Sequence, residues 1–260
     1  MEVAGAALGT LLSRLIECTV ILTYFLVFEK NVNYHVSDFF KKSGDLLGEY
    51  LRICIPVVIS DALMAFGNSA IAIIMGHIGA TFVSANAITS VTQQLTTVFT
   101  QGISQASCIM TGHTLGEGKI EEAQNDGYAF TFSGAVLGLV ACLIILIIKR
   151  PIIGLYNITE ETRNIADQLM NAIALILIFQ STNSILTKGV LRGGGDTKFL
   201  MAGDVLFLWI ASVPLGILTG LVLQLPAFWI YFAMKIDQIL KCVWCFSRLR
   251  SGKWIKTISG

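Results

Sequence analysis

The chain has 260 residues, of which 54% are hydrophobic and 13% are charged, and its formal net charge is +1 at pH 7. Soluble domains carry about 25% charged residues, so this composition excludes an ordinary soluble domain. Basic residues form no tract longer than a pair such as Lys41–Lys42, and with a net charge near zero we expect no nucleic-acid partner.

Six apolar stretches fill most of the chain. A membrane-spanning helix needs about 20 mostly apolar residues, and the last stretch, which is interrupted near Gln224–Leu225–Pro226, is long enough for two spans. We therefore predict an all-α integral membrane protein, surrounded by lipid, in which one lead-in helix precedes a six-helix bundle. The stretches run over residues 3–28, 52–76, 82–110, 127–149, 166–188 and 199–247.

Lysine and arginine concentrate in alternate connections between these stretches. The enriched connections are the segment 29–49, the turns at Lys119 and Arg192, and the tail beyond residue 247. Short loops rich in basic residues remain on the cytoplasmic side of a membrane. The sequence therefore predicts that these connections and the C-terminus are cytoplasmic.

The third span carries a stripe of polar side chains along one face. A helix has a period of 3.6 residues, so side chains three, four and seven positions apart share that face. Amides in lipid need partners, so the stripe predicts either hydrogen bonds to neighbouring helices or the wall of a water-filled cleft. Its members are Asn86, Ser90, Gln93, Thr97, Gln101 and Ser104.

The second span contains a carboxylate and an amide on one face. Asp61 and Asn68 are seven residues apart, and Pro56 removes one backbone hydrogen bond a little earlier in the same span. An acidic residue inside a span is a candidate for binding a cation or exchanging a proton. A structural hydrogen bond to a neighbouring helix is the alternative interpretation of Asp61.

The fifth and last spans also carry polar residues at helical spacing. Gln180 and Asn183 share a face of the fifth span, while Asp237 and Lys241 lie four residues apart in the last span. The last two residues predict an internal ion pair, although the long stem of Lys241 also allows its amine to reach the cytoplasmic surface. Asp237 is nevertheless a candidate site residue.

Metal binding and catalysis find little support in the sequence. The six cysteines lie inside apolar stretches, and the Cys242–Cys245 pair has no second pair or histidine nearby to complete a zinc site. The three histidines are far apart, and the acidic residues do not cluster. We therefore expect a protein that is not an enzyme and that has no metal site or cofactor.

Short motifs containing glycine, proline or amides recur along the spans. They are Ile55–Asp61 with Gly67–Asn68, Ala85–Ile88, Gly102–Ala106, Gly112–Gly118 and Val190–Phe199. Together they resemble the C-terminal half of a transporter of the MATE (multidrug and toxic compound extrusion) family, and the opening Ala4–Thr10 resembles the sixth helix of that family. The glycine-rich turns are the most specific part of this resemblance.

The resemblance implies a fold, an activity and a location. Members of the family have twelve helices in two lobes, bind organic cations in a central cleft, and export them by coupling to sodium or proton entry. The implied layout is the final helix of the first lobe at 1–28, a cytoplasmic linker at 29–49, the C-terminal six-helix lobe at 50–247 and a cytoplasmic tail at 248–260. The implied location is the inner membrane of a bacterial cell.

The candidate site follows from the polar residues within the spans. Where many relatives carry an acidic residue in the seventh helix, this chain has Met64, with Asp61 one turn earlier. We expect the polar faces of the second, third and fifth spans to converge on one cavity that takes substrate or coupling ion. The candidates are Asp61, Asn68, Asn86, Gln93, Gln101, Gln180, Asn183 and Asp237.

Three interpretations of function remain open. We expect transport to require the missing N-terminal lobe or, less simply, a second copy of this chain, because a cleft between two lobes needs both walls. A lipid-linked oligosaccharide flippase of the same superfamily is an alternative, and its cleft would be more basic than the amide stripe. A membrane fragment that does not transport is the third interpretation.

Overall fold

A computed structural model describes residues 2–25 and 44–255. The chain divides into two compact units between Glu49 and Tyr50. Regular structure in the described residues is entirely helical, as the composition predicts. Most of the expected linker at 29–49 and the end of the expected tail lie outside the described residues.

The helices follow the predicted apolar stretches, with additional breaks in the last one. The α-helices are α1 (Glu2–Thr23), α2 (Gly44–Ile78), α3 (Ala80–Gly116), α4 (Ile120–Gly154), α5 (Glu160–Ser184), α6 (Thr197–Leu206), α7 (Val213–Ile217), α8 (Ala227–Met234) and α9 (Ile236–Arg250). Three π-helical segments continue α5, α6 and α7, at Ile185–Leu191, Phe207–Ser212 and Leu218–Val222.

Four helical stretches among the described residues are long and apolar enough to cross a membrane. They are Cys54–Ile78, Ile120–Gly154, Glu160–Leu191 and Thr197–Val222. Helix α3 has 37 residues, so at 1.5 Å per residue it is also long enough, at roughly 55 Å. Its many threonine and glutamine side chains make it less apolar than these four.

Local sequence sets the helix boundaries. Thr159 caps α5 by accepting a hydrogen bond at its Oγ1 from the backbone nitrogen of Thr162, at 3.3 Å. Gly118 and Gly195, in the two glycine-rich turns, have φ angles of 78° and 80°. Residues that have a Cβ atom rarely adopt this backbone conformation. The predicted interruption of the last stretch is also present, because Pro226 immediately precedes α8.

Helix α5 lies at the centre of the bundle and packs against α3, α4, α8 and α9. Its buried side chains include Leu169, Met170, Ile173 and Leu177. Helix α4 approaches it closely at Gly138, where an added Cβ would collide with the backbone of Ile178. Small residues allow such close contacts between helices in lipid, where dispersion contacts and hydrogen bonds replace the hydrophobic effect.

The buried face of α3 is lined by hydroxyl groups. Thr100 Oγ1 lies 3.2 Å from Ser181 Oγ, and Ser104 Oγ donates to the Ser184 carbonyl at 3.0 Å. The amide face is more open, since Gln101 is exposed. Hydroxyl groups on this buried face therefore supply interhelical hydrogen bonds, which is one of the two roles predicted for the stripe.

Residues after α9 pack against the glycine-rich turn of residues 193–195. The Trp254 side chain is fully buried, lies against Gly194 and donates from Nε1 to Gln124 Oε1 at 2.7 Å. Nearby, Arg248 Nε donates to Asp196 Oδ2 at 2.7 Å. These contacts fix the turn and hold the end of α9 against α4.

Candidate functional site

A polar cavity of about 240 Å³ lies among α2, α5 with its π-helical continuation, α6 and α9. Polar and charged side chains dominate its wall, although the surrounding helices are largely apolar. The lining residues that matter below are Ser60, Asp61, Met64, Asn68, Gln180, Asn183, Lys188, Arg192, Asp204, Lys235, Gln238 and Lys241.

A buried ammonium group organises one side of this cavity. The Lys241 side chain is 2% exposed, and its Nζ lies 3.1 Å from Asp237 Oδ2 and 3.2 Å from Asp204 Oδ1. Its Nζ also lies 3.7 Å from the sulfur of Met64. Burying this charge is tolerable because two carboxylates compensate for the lost water.

Hydroxyl groups complete the bonding of both carboxylates. Ser60 Oγ donates to Asp204 Oδ2 at 3.0 Å, and Ser212 Oγ donates to Asp237 Oδ1 at 3.0 Å. The Ser212 oxygen also accepts from the Asp237 backbone nitrogen at 3.2 Å. Each carboxylate therefore uses one oxygen for the ammonium and the other for a serine. We call Lys241, Asp204, Asp237, Ser60 and Ser212 the ion cluster.

A chain of amides leads from the ion cluster into the cavity wall. Gln238 Nε2 donates to Asp237 Oδ2 at 2.6 Å, and Asn183 Nδ2 donates to Gln238 Oε1 at 2.9 Å. A carboxylate accepts only, so this sequence of bonds fixes the orientation of both amides. It leaves the Asn183 Oδ1 atom buried without a hydrogen-bond partner among the described residues.

The other cations on the cavity wall are less well compensated. Arg192 Nη2 lies 4.0 Å from Asp61 Oδ1, and the Asp61 side chain is 67% exposed. Lys188 is exposed and Lys235 is half-buried, and no carboxylate of the described ranges lies within 4.0 Å of either amine. In the described part of the chain, the cavity thus combines one ammonium group that is fully paired with carboxylates and three cations whose carboxylate partners lie at 4.0 Å or farther.

Four predicted site residues line the cavity together. Asp61 and Asn68 reach it from α2, and Gln180 and Asn183 reach it from α5. Asp237 is adjacent to the wall, because it binds the lining residue Lys241. Of the three faces predicted to converge, those of α2 and α5 therefore line one cavity.

The three residues predicted on α3 are more dispersed. Gln93 donates to Gln180 Oε1 at 2.7 Å, so it does not line the cavity but orients the side chain of a residue that does. Gln101 lines an adjoining depression that shares Lys188 with the main cavity. Asn86 is half-buried and is not part of the cavity wall. The stripe of α3 thus does not form one continuous wall of the cavity.

The predicted internal pair of Asp237 and Lys241 is present, but the Lys241 amine does not extend to the surface. A second carboxylate, Asp204, holds it inside the bundle, where extension to water would leave both acids uncompensated. Sequence reasoning missed the roles of Ser60, Ser212 and Gln238. Of these three, only Gln238 had a recognisable indication in the sequence, because it directly follows the candidate site residue Asp237.

Removing the central ammonium should destabilise the fold. Lys241→Met leaves the Asp237 carboxylate buried without a cation, and loss of one partner of a buried pair costs about 3–5 kcal/mol. We expect a clearly lowered melting temperature in detergent, measured by size-exclusion chromatography of heated samples. Lys253→Met, at an exposed lysine, is the matched control and should leave the melting temperature unchanged. Equal melting temperatures for the two variants would contradict this role of Lys241.

Curated relatives are similar to this chain over part of their length. Multidrug resistance protein MdtK of Yersinia pseudotuberculosis serotype O:1b (strain IP 31758) is 29% identical over 185 residues, covering 67% of this chain and 40% of that protein. MdtK of Photorhabdus laumondii is 28% identical over 185 residues, covering 69% and 40%. The chain therefore spans less than half the length of these relatives.

Solved structures share the fold at low sequence identity. A MATE crystal structure in the straight conformation superposes with a TM-score of 0.80 at 16% identity, covering 96% of this chain and 57% of that one. A MOP superfamily transporter from Pyrococcus furiosus gives a TM-score of 0.77 at 19% identity, with 96% and 57% covered. The predicted all-α membrane fold is thereby confirmed.

The family model MatE matches residues 56–222. The match includes α2 from Pro56 onwards, all of α3 to α7, and most of the cavity wall, so it covers more than half of the chain. The resemblance inferred from the glycine-rich turns is thus confirmed, and the chain belongs to the MATE family of membrane transporters.

Proposed function

We propose that this chain forms one lobe of an antiporter that exports organic cations and drugs and is driven by sodium or proton entry. The observation that carries the proposal is the polar cavity of about 240 Å³ inside the apolar helix bundle of a MATE family member. Charged residues within membrane helices mark substrate or ion pathways. The relatives named as multidrug resistance proteins support the choice of substrates.

We assign the coupling ion to Asp61. Both other carboxylates near the cavity, Asp204 and Asp237, already bind the Lys241 ammonium. Asp61 lines the cavity and remains accessible to solvent, and its ion-pair partner among the described residues is Arg192, at 4.0 Å. A carboxylate in this setting is able to take up a proton or a sodium ion without first breaking a buried ion pair.

Transport by this lobe requires a second lobe. The chain covers 40% of its curated relatives and 57% of the MATE structure in the straight conformation. Gln94, Gln101 and Gln105 are exposed on α3, and such amides need water or protein partners within a membrane. A further lobe upstream would cover them, and a second copy of this chain is the other source of such a wall.

A flippase for lipid-linked oligosaccharides is the second candidate function. One observation favours it: four basic side chains line the cavity, and the diphosphate of such a lipid requires cations. The Pyrococcus furiosus relative is described as having a binding pocket of reverse polarity that suggests a different function. A flippase would bind polyprenyl diphosphate and give no protection against drugs.

The membrane orientation is testable at the two ends of α4. We propose the inner membrane of a bacterial cell, with the turn before α4 and the C-terminus in the cytoplasm. Lys119 and Leu155 flank the helix, and the side chain of Lys119 is 56% exposed and Leu155 is 84% exposed. The other glycine-rich turn offers a less suitable position for labelling, because its Asp196 is buried and binds Arg248.

Lys119→Cys and Leu155→Cys should label differently in a background lacking the native cysteines. An impermeant maleimide added to intact cells should reach the cysteine at 155 but not the one at 119. Disrupted cells should label both, which controls for accessibility. Labelling at 119 but not at 155 in intact cells would reverse the proposed orientation.

Drug export should depend on a second lobe and on Asp61. We expect a pump-deficient bacterium to be protected against ethidium and norfloxacin when this chain is fused to five upstream helices of a MATE relative. The chain alone should protect no better than the empty vector, because its cleft lacks one wall. Asp61→Asn in the fusion should also abolish protection at unchanged expression, since the coupling carboxylate is lost.

Two outcomes of the export assay would contradict the proposal. Equal protection by the chain and the fusion, at matched expression, would show that one lobe transports without the upstream helices. A folded fusion that exports neither compound but binds polyprenyl diphosphate would instead support the flippase.

A further inference from the structure

The main cavity carries more positive than negative charge. Four basic and two acidic side chains line it, namely Lys188, Arg192, Lys235 and Lys241 against Asp61 and Asp204. Lys241 is neutralised by Asp204 and by Asp237 behind the wall. Once these three groups are set aside, three cations face the single carboxylate of Asp61.

Among the described residues, these three cations have only distant counter-ions: Asp61 for Arg192 and Asp237 for Lys235. The Arg192–Asp61 separation of 4.0 Å is at the limit of an ion pair, and most of the Asp61 side chain is open to solvent. In the part of the chain that the structure describes, no carboxylate lies within 4.0 Å of Lys188 or Lys235. Uncompensated cations in a membrane bundle are costly, and an anion is the ligand that removes this cost.

Two buried polar atoms on the same wall point to a bound ligand independently of the net charge. Arg192 Nε and Asn183 Oδ1 have no hydrogen-bond partner among the described residues. Buried polar atoms are nearly always bonded to protein, water or ligand. The Arg192 nitrogen donates and therefore suits an anion, whereas the Asn183 oxygen accepts and suits an N–H group.

We propose that this cavity binds the carboxylate of amphoteric substrates, those that carry both a carboxylate and an amine. The carboxylate lies among Lys188, Arg192 and Lys235, and an N–H group of the same molecule donates to Asn183 Oδ1. Guanidinium and ammonium groups recognise carboxylates through short, charge-assisted hydrogen bonds. This inference rests on the proposed export function and adds to it a carboxylate subsite, so that amphoteric substrates bind more tightly than cations that have no carboxylate.

Lipid phosphate offers the same anionic chemistry as a substrate carboxylate, so the test separates the two. The chain is placed in nanodiscs of phosphatidylcholine, and binding of norfloxacin, norfloxacin methyl ester and ethidium is followed by fluorescence anisotropy. Norfloxacin has a free carboxylate, whereas the ester keeps the amine but masks the acid. We expect norfloxacin to bind at least about tenfold more tightly than its ester, given the strength of hydrogen bonds to charged groups.

Charge-removing variants localise the effect to the cavity. Lys188→Gln and Lys235→Gln should each weaken norfloxacin binding about tenfold and leave binding of the ester unchanged. Lys119→Gln, in the exposed turn before α4, is the matched control and should change neither. The comparison of norfloxacin with its ester on the unmodified chain needs no variant, so it remains decisive even if a substitution prevents folding.

Several results would overturn the inference. Equal affinity for norfloxacin and its ester, or no binding of either, would show that the cations do not select a carboxylate. Loss of norfloxacin binding when phosphatidylglycerol is added to the nanodiscs would assign the site to a lipid headgroup instead. Failure of the export function is distinguishable, because the fusion protein's export of ethidium does not depend on this carboxylate site.

Discussion

The buried ammonium of Lys241 is the constraint on which the rest of the site depends. A charge that is 2% exposed within a membrane bundle requires compensation, and carboxylates from α6 and α9 supply it at 3.2 and 3.1 Å. Each carboxylate needs a further donor, and these come from Ser60 on α2 and Ser212 beyond α6. One charge therefore fixes the relative positions of three of the four helical regions that enclose the cavity, namely α2, α6 with its π-helical continuation, and α9.

This arrangement separates stability from ligand binding. Within the ion cluster both Asp204 and Asp237 bind the Lys241 ammonium, so neither acid is free to bind a mobile cation. Met64 places a sulfur, rather than a third carboxylate, 3.7 Å from the same ammonium. The remaining charged side chains of the cavity are Asp61, where we place ion coupling, and the cations Lys188, Arg192 and Lys235, where we place substrate binding.

Sequence periodicity predicted the helices and much of the cavity. Asp61 and Asn68, like Gln180 and Asn183, share helix faces that the 3.6-residue period identifies. The period does not give the rotation of one helix relative to another, so the serine partners of the carboxylates were not predictable. From Ile185 to Leu191 the helix is π-helical, so the 3.6-residue period no longer gives the face on which the later side chains, such as that of Lys188, lie.

A double-mutant cycle between Lys241 and Asp237 tests the central claim most directly. Free energies of unfolding in mixed detergent micelles would be measured for Lys241→Met, Asp237→Asn and their combination, with Arg192 and Asp61 as the control pair. We predict a coupling of about 3 kcal/mol or more for the buried pair and about 1 kcal/mol or less for the control. Equal, small couplings for both pairs would contradict an organising role for the buried ammonium.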